Sequence, residues 1–183
     1  MQITIIGSTK GHGFNQTAEK FSQEIGQEIA KRGYTLLYGP EPEVASLPYM
    51  TAKACKIAGG TTIAIAIPRS KGEFYDKTAA THIIYTDGGA GASREVVLVN
   101  SADAIISIGG GSGTLTEISI GYMNAIPTIC MKGSGGWSDK LIGTYLDDRK
   151  KFIFPGATTA KEALDLVEKM AEQMSEVDPS KYV

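Results

Sequence analysis

The segment from Ile106 to Ile118, ISIGGGSGTLTEI, sets three consecutive glycines, then Ser112, Gly113 and Thr114, between an apolar run and a helix-like stretch carrying Glu117. Consecutive glycines let a backbone turn sharply and aim several N–H groups at one point. A helix starting there adds unsatisfied N–H groups and a partial positive charge. Ser112 and Thr114 can add hydroxyl donors. The chemistry this predicts is the holding of an anion, a phosphate before others. Glu117 has two readings of equal weight. TLTE is a capping box in which Thr114 caps the helix and Glu117 reaches back to its N–H, and the same device recurs at Thr159–Glu162. Otherwise Glu117 is a carboxylate placed beside a bound phosphate.

Arg94 bears on that choice. In GGAGASREVV it falls in the first turn of another helix, behind a capping Ser93. A cation there opposes the helix dipole at about 0.3–1 kcal/mol, an opposition that Glu95 partly offsets. If the fourth and fifth strands are neighbours, Arg94 and Glu117 face one another across one glycine-rich rim.

Two commoner phosphate motifs are not met. No lysine follows Gly113, as a Walker loop requires. After the first strand, Gly7, Gly11 and Gly13 have the wrong spacing for GxGxxG, and Glu41 after the second strand adds little.

The elements that must position these residues alternate in type. Short β-branched runs read as strands: ITII from Ile3, YTLLY from Tyr34, TTIAIAI from Thr61, HIIYT from His82, AIISI from Ala104, PTICM from Pro127 and KFIF from Lys151. Helical spacing appears at Ala18, Phe21, Ile25 and Ile29, at Leu115, Ile118 and Tyr122, and at Leu164, Val167, Ala171 and Met174. This βαβα order predicts an α/β fold: a Rossmann-like doubly wound sheet of about seven mostly parallel strands with helices on both faces. Links from strand to helix are long and glycine-rich, and in such a sheet they share the carboxyl edge where ligands bind. Gly7 and Ser8 open one of these links and Gly39 another. With Gly109, Gly110, Gly111, Ser112, Gly113 and Thr114 they form the expected ligand- and phosphate-binding set. Residues 1–177 are expected to form a single Rossmann-like nucleotide-binding domain, and 178–183 a C-terminal tail. The segment GGWSDKLIGTYLDDRKK from Gly135 reads as a lid or dimer segment, with Trp137 and Tyr145 supplying apolar area.

Composition excludes several classes. A chain of 183 residues with 42% hydrophobic and 21% charged residues is an ordinary globular protein. Its net charge of −2 lacks the basic excess of a nucleic-acid binder. Cys55 and Cys130 lie in apolar segments and read as small buried hydrophobes, and with only His12 and His82 no metal site is expected. QITIIG begins at once as a strand, without a leader, and no run reaches membrane-spanning length, so a cytoplasmic protein with no membrane partner is expected.

SREVVLVNSADAIISIGGGSGTLTEI resembles the signature of the lysine-decarboxylase-like family. Its members include the Lonely Guy cytokinin-activating phosphoribohydrolases and the molybdenum cofactor carrier proteins, with DNA-processing protein A more distant. The enzyme pattern is Arg-Lys, a step of nine from that Arg to an Asp, then PGGxGTxxE. Here Arg94 and Asp103 stand nine apart, and Gly110, Gly111, Gly113, Thr114 and Glu117 occupy the motif. More weakly, the likeness runs from Met1 to about Met131, including AGGTTIAIAIP.

The resemblance implies a homodimer or higher homo-oligomer binding a nucleotide-like ligand, with its phosphate on the Gly109–Thr114 loop. No cofactor is required, and the bound ligand is a nucleoside monophosphate or a molybdopterin-type molecule. In the enzymes the matching Arg and Glu serve hydrolysis of a base–ribose bond, which makes Arg94 and Glu117 the catalytic candidates. There are departures. Glu95 stands where the enzymes have Lys, and Gly109 where they have Pro. GPEPEVASLPYM replaces a second glycine-rich loop, keeping only Gly39 and Met50. These changes lead toward the carrier-like branch, whose members need not be enzymes. Two readings stay open: an N-glycosyl hydrolase acting on nucleoside 5′-monophosphates, and a non-catalytic carrier of a phosphorylated cofactor.

Overall fold

The computed structural model describes residues 1–9, 14–40, 45–67, 78–86 and 93–175. The expected tail at 178–183, His12, the glycines at 11 and 13, and the acidic positions 41 and 43 lie outside the described residues.

Seven strands form one sheet: β1 (Gln2–Gly7), β2 (Thr35–Tyr38), β3 (Thr61–Ala66), β4 (His82–Tyr85), β5 (Ala104–Ile108), β6 (Thr128–Met131) and β7 (Gly156–Ala157). Their order is β4-β3-β2-β1-β5-β6-β7, and every pairing is parallel. The helices between them are α1 (Gln16–Lys31), α2 (Leu47–Ile57), α3 (Ser93–Asn100), α4 (Ser112–Met123), α5 (Gly136–Leu141) and α6 (Ala160–Ser175).

Strand alternation divides the core between two faces. Ile3 and Ile5 of β1 and Tyr38 of β2 pack with Phe21, Ile25 and Ile29 of α1, Cys55 of α2 and Val167 of α6. On the other face Ile6 and Ile105 meet Ile118 and Tyr122 of α4. Leu37 and Ile65 meet Leu98 of α3 there. Both cysteines are buried thiols, as read. Burial pushes Cys55 up to about 11 and Cys130 up to about 12, Asp139 adding to the latter.

Two expectations are corrected. The fourth and fifth strands are not neighbours. β4 is the sheet edge, and after it the chain returns to the centre, where β5 pairs β1 (Ile5 opposite Ile106). The sheet therefore reverses its winding between β1 and β5, and that reversal opens a crevice at their carboxyl ends. Nor is KFIF the seventh strand. Phe154 exchanges backbone hydrogen bonds with Gly143 and Thr144, and pairing with β6 begins only at Pro155, whose carbonyl accepts from Cys130 N at 2.9 Å. Phe152 and Phe154 instead pack on Tyr122, with ring centroids 4.9 and 5.6 Å away.

Helix α6 is fastened to α1 by Arg32. Its guanidinium bonds Glu28 at 2.9 Å and Asp165 and Glu168 at 2.7 Å, while Tyr34 donates to Glu168 at 2.7 Å. Glu168 is held below the ordinary carboxylate range by Tyr34 and Arg32, and Glu28 chiefly by Arg32. Carboxyls with lowered folded pKa values stabilise the fold above their ordinary range, and that contribution is lost as pH falls through their folded values. Arg32→Met should therefore lower Tm by a few degrees at neutral pH. It should also flatten the fall of Tm on acidification, which thermal melts across the carboxylate range will read.

Candidate functional site

The site is built where β1 and β5 end side by side. The Ser8 hydroxyl accepts from Gly110 N at 2.7 Å, and the Ser134 hydroxyl accepts from Gly109 N at 2.8 Å while donating to Met131 O. The carbonyls of this turn are taken as well. Gly109 O accepts from Ser138 N and Oγ, and Gly110 O from Trp137 N. Gly110 has φ +103°, and a Cβ there would strike the Thr114 side chain, so only glycine fits. The segment from Gly135 thus begins as a support bolted beneath the glycine turn rather than as a lid. Just before and at its start, the amides of Gly133 and Gly135 donate to Asp139.

The amides of Gly109 and Gly110 are therefore spent on the protein itself. The groups presented outward are those of the first turn of α4. Gly111 is the N-cap and no side chain caps the helix. The N–H groups of Ser112, Gly113 and Thr114 have no intrahelical acceptor, and Ser112 and Gly113 are exposed. The capping box expected at Thr114 is not formed, because α4 starts two residues earlier and Thr114 lies inside it. At the second site it forms: Thr159 Oγ1 accepts from Glu162 N at 3.1 Å, and Glu162 accepts from Thr158 N at 2.7 Å. Glu117 is thus not a capping residue but a buried carboxylate one turn into α4.

One cleft gathers most of the expected residues: Gly7, Ser8, Gly39, Arg94, Gly111, Ser112, Gly113, Thr114 and Glu117 all line it. Gly109 and Gly110 lie outside its lining. The cleft has a cavity volume of about 130 Å³. That is below the ~300–1,000 Å³ of a whole small-molecule site, so it suits the anionic end of a ligand. A second, open hollow shares Ser8 and Gly111 with it and runs past Phe14, Asn15 and Gly135. Arg94 arrives from α3 although β4 is distant. Its guanidinium lies against Gly39, where any Cβ would overlap it. It also donates from Nη2 to Glu95 Oε1 at 2.9 Å. Ser93 is the first residue of α3, and the position before it lies outside the described residues. Asp103, nine residues on, accepts from Gln2 N at 2.7 Å at the far end of β1 and stays out of the cleft.

Sequence reasoning missed Glu95 as a lining residue, and Ser46 and Pro48 with it. The helix expected after the link that opens at Gly39 is α2, whose cap Ser46 accepts from Tyr49 N at 3.2 Å. A serine cap followed by an early helical proline was the available signal. The serines Ser134 and Ser138 carried no local signal.

A parallel sheet with a winding reversal, and an uncapped helix N-terminus beside a buried arginine at that reversal, define a Rossmann-like α/β protein with a ligand-binding crevice. Residues 1–171 match the SLOG cluster4 family, and the chain belongs to it. An uncharacterized protein of Archaeoglobus fulgidus is 34% identical over 123 residues, 66% of this chain and 72% of that one. The crystal structure of TM1055 superposes with a TM-score of 0.79 at 27% identity, covering 92% of this chain and 98% of that one. The molybdenum cofactor binding protein of the phototrophic bacterium Rippkaea orientalis does so at 0.74 and 25% identity, over 92% and 96%. These likenesses support a ligand-binding role of the kind found in this superfamily. Among the described residues no helix is long and apolar enough to cross a membrane, and no cluster of His, Cys, Asp and Glu could hold a metal ion.

Ser8→Ala leaves the buried Gly110 N–H without its acceptor and should destabilise the protein by about 1–3 kcal/mol. Gly110→Ala should cost at least as much, through its positive φ and the clash with Thr114. Urea unfolding of both variants checks this.

Proposed function

We propose that this chain binds a phosphorylated, nucleotide-like small molecule, with the phosphate on the first turn of α4. The observation carrying the reading is the uncapped turn Ser112–Thr114 opening into the same cleft as Arg94. Backbone N–H groups and a helix dipole of about half a charge attract an anion there without any lysine. The remainder of the ligand extends over Gly111 into the open hollow beside Phe14. Gly7, Ser8 and Gly39 serve the site through their small size: they let the turn, the ligand and Arg94 approach the strand ends closely.

The ligand is held rather than turned over, as by a carrier of a molybdopterin-type or other phosphorylated cofactor. The pairing of Arg94 with Glu95 supports this, since it commits the guanidinium to the protein's own carboxylate. Similarity to the Rippkaea orientalis protein supports it too. The hydrolytic reading rests on Glu117, a carboxylate in the cleft that could stabilise an oxocarbenium-like ribose or activate water as a base departs.

Phosphorylated ligands should raise Tm. A ligand at a hundred times its dissociation constant adds about 2.7 kcal/mol. Mass spectrometry after long incubation should recover the ligand intact. Release of free base from a nucleoside monophosphate, abolished in Glu117→Gln, would establish the enzyme instead. If no phosphorylated compound shifts the melt, both readings fail.

The reading includes a homodimer. Among the described residues, edge strand β4 and the paired helices α3 and α4 show Ile84, Tyr85, Val96, Val97 and Met123 to solvent. A second copy of the chain would cover exposed apolar side chains of this edge. Light scattering should give twice the 19.4 kDa chain mass. Val96→Glu combined with Val97→Glu should yield monomers, and a native monomer would refute the dimer.

A further inference from the structure

We infer that Glu95 is a specificity-determining residue of the cleft. By occupying the Arg94 guanidinium it sets the site against a second strongly anionic group, and it calls for a ligand that brings hydrogen-bond donors to that wall. The inference rests on the proposed ligand binding and refines its substrate class.

Arg94, Glu117 and Glu95 are only 9%, 8% and 7% exposed, and all three line the cleft. Buried charges of this kind act on a ligand at low local dielectric, far more strongly than surface charges do. The guanidinium is fixed on two sides, against the backbone of Gly39 and by the 2.9 Å contact of Nη2 with Glu95. An arginine already satisfied by a buried carboxylate has little attraction left for a phosphate, which must displace that carboxylate or share the guanidinium with it. Among the described residues, one guanidinium against two carboxylates leaves the charged side chains of this wall net negative. Positive potential is then supplied by the first turn of α4. An ionised carboxylate only accepts hydrogen bonds. A ligand suited to this cleft therefore carries one phosphate for α4 and, toward Glu95 and Glu117, hydroxyl or amino groups rather than a second anion. A phosphate monoester of a hydroxylated or amino-bearing heterocycle fits this, and a bare polyphosphate does not.

The test is titration calorimetry of the full chain and of E95Q and R94Q/E95Q with inorganic phosphate, adenosine 5′-monophosphate and adenosine. Glu95→Gln keeps the shape and removes the charge. E95Q should bind both phosphate-bearing probes at least about tenfold more tightly, with a steeper loss of affinity on adding salt. It should bind adenosine no better. The gain should vanish in R94Q/E95Q, because it works through Arg94. Native-like monophosphate affinity in a folded E95Q would overturn the inference while leaving the proposed function standing. Failure of every probe to bind all three proteins would overturn both. If E95Q does not fold, the native protein still decides. Its loss of monophosphate affinity on adding salt should be no steeper than that of R94Q/E95Q, and a markedly steeper loss would show Arg94 engaging phosphate and refute the role of Glu95.

Discussion

The hydrogen bond from Gly110 N to Ser8 Oγ, 2.7 Å long, joins the end of β1 to the turn after β5 across the point where the sheet reverses its winding. Together with the bond from Ser8 N to Ile108 O, it lays the glycine turn against β1. With it, Gly109 and Gly110 are folded inward and the chain emerges at Gly111 already directed into α4. Ser134, Ser138 and the backbone of Trp137 complete the cradle from the β6 side. The glycine-rich turn is thus a plinth, and the surface turned toward the cleft is the first turn of the helix standing on it. That is economical chemistry: serine hydroxyls absorb the buried amides, whose desolvation would otherwise cost about 1–3 kcal/mol each, and the helix's first turn stays open.

Charge around the plinth is balanced locally rather than by a basic surface. Among the described residues, a helix terminus worth about half a positive charge shares its cleft with one arginine and two glutamates. On the proposed reading, such a site distinguishes ligands by where their anionic and donor groups lie. It accords with a chain whose net charge is only −2 and which has no lysine in the glycine motif.

Much of this was legible in the sequence. Alternating apolar runs and helical spacing gave the doubly wound sheet, because burial on both faces of a parallel sheet leaves little freedom in residue type. The concentration of glycine in strand-to-helix links pointed to the edge at which the cleft lies. What was not legible depended on contacts between distant segments. Arg94 and Glu117 do share a cleft, but not because their strands are adjacent; α3 carries Arg94 back from the sheet edge to the end of β2. The TLTE pattern looked like a capping box, yet the helix begins at Ser112, since Gly110 must stay in a left-handed conformation and the turn therefore ends at Gly111. KFIF has the alternation of a strand, with Ile153 exposed between buried or half-buried rings, but its backbone partners are Gly143 and Thr144. No local pattern foretells which segment will offer an amide its acceptor.

The contact between Gly39 and Arg94 has an evolutionary reach. Any side chain at position 39 would occupy the space of the guanidinium. A lineage that traded Arg94 for a shorter residue would release position 39 to vary, whereas one that kept the arginine would hold the glycine in place. Two sites far apart in the gene are thereby coupled: a side chain at position 39 obliges the guanidinium to swing out of its place beside Glu95.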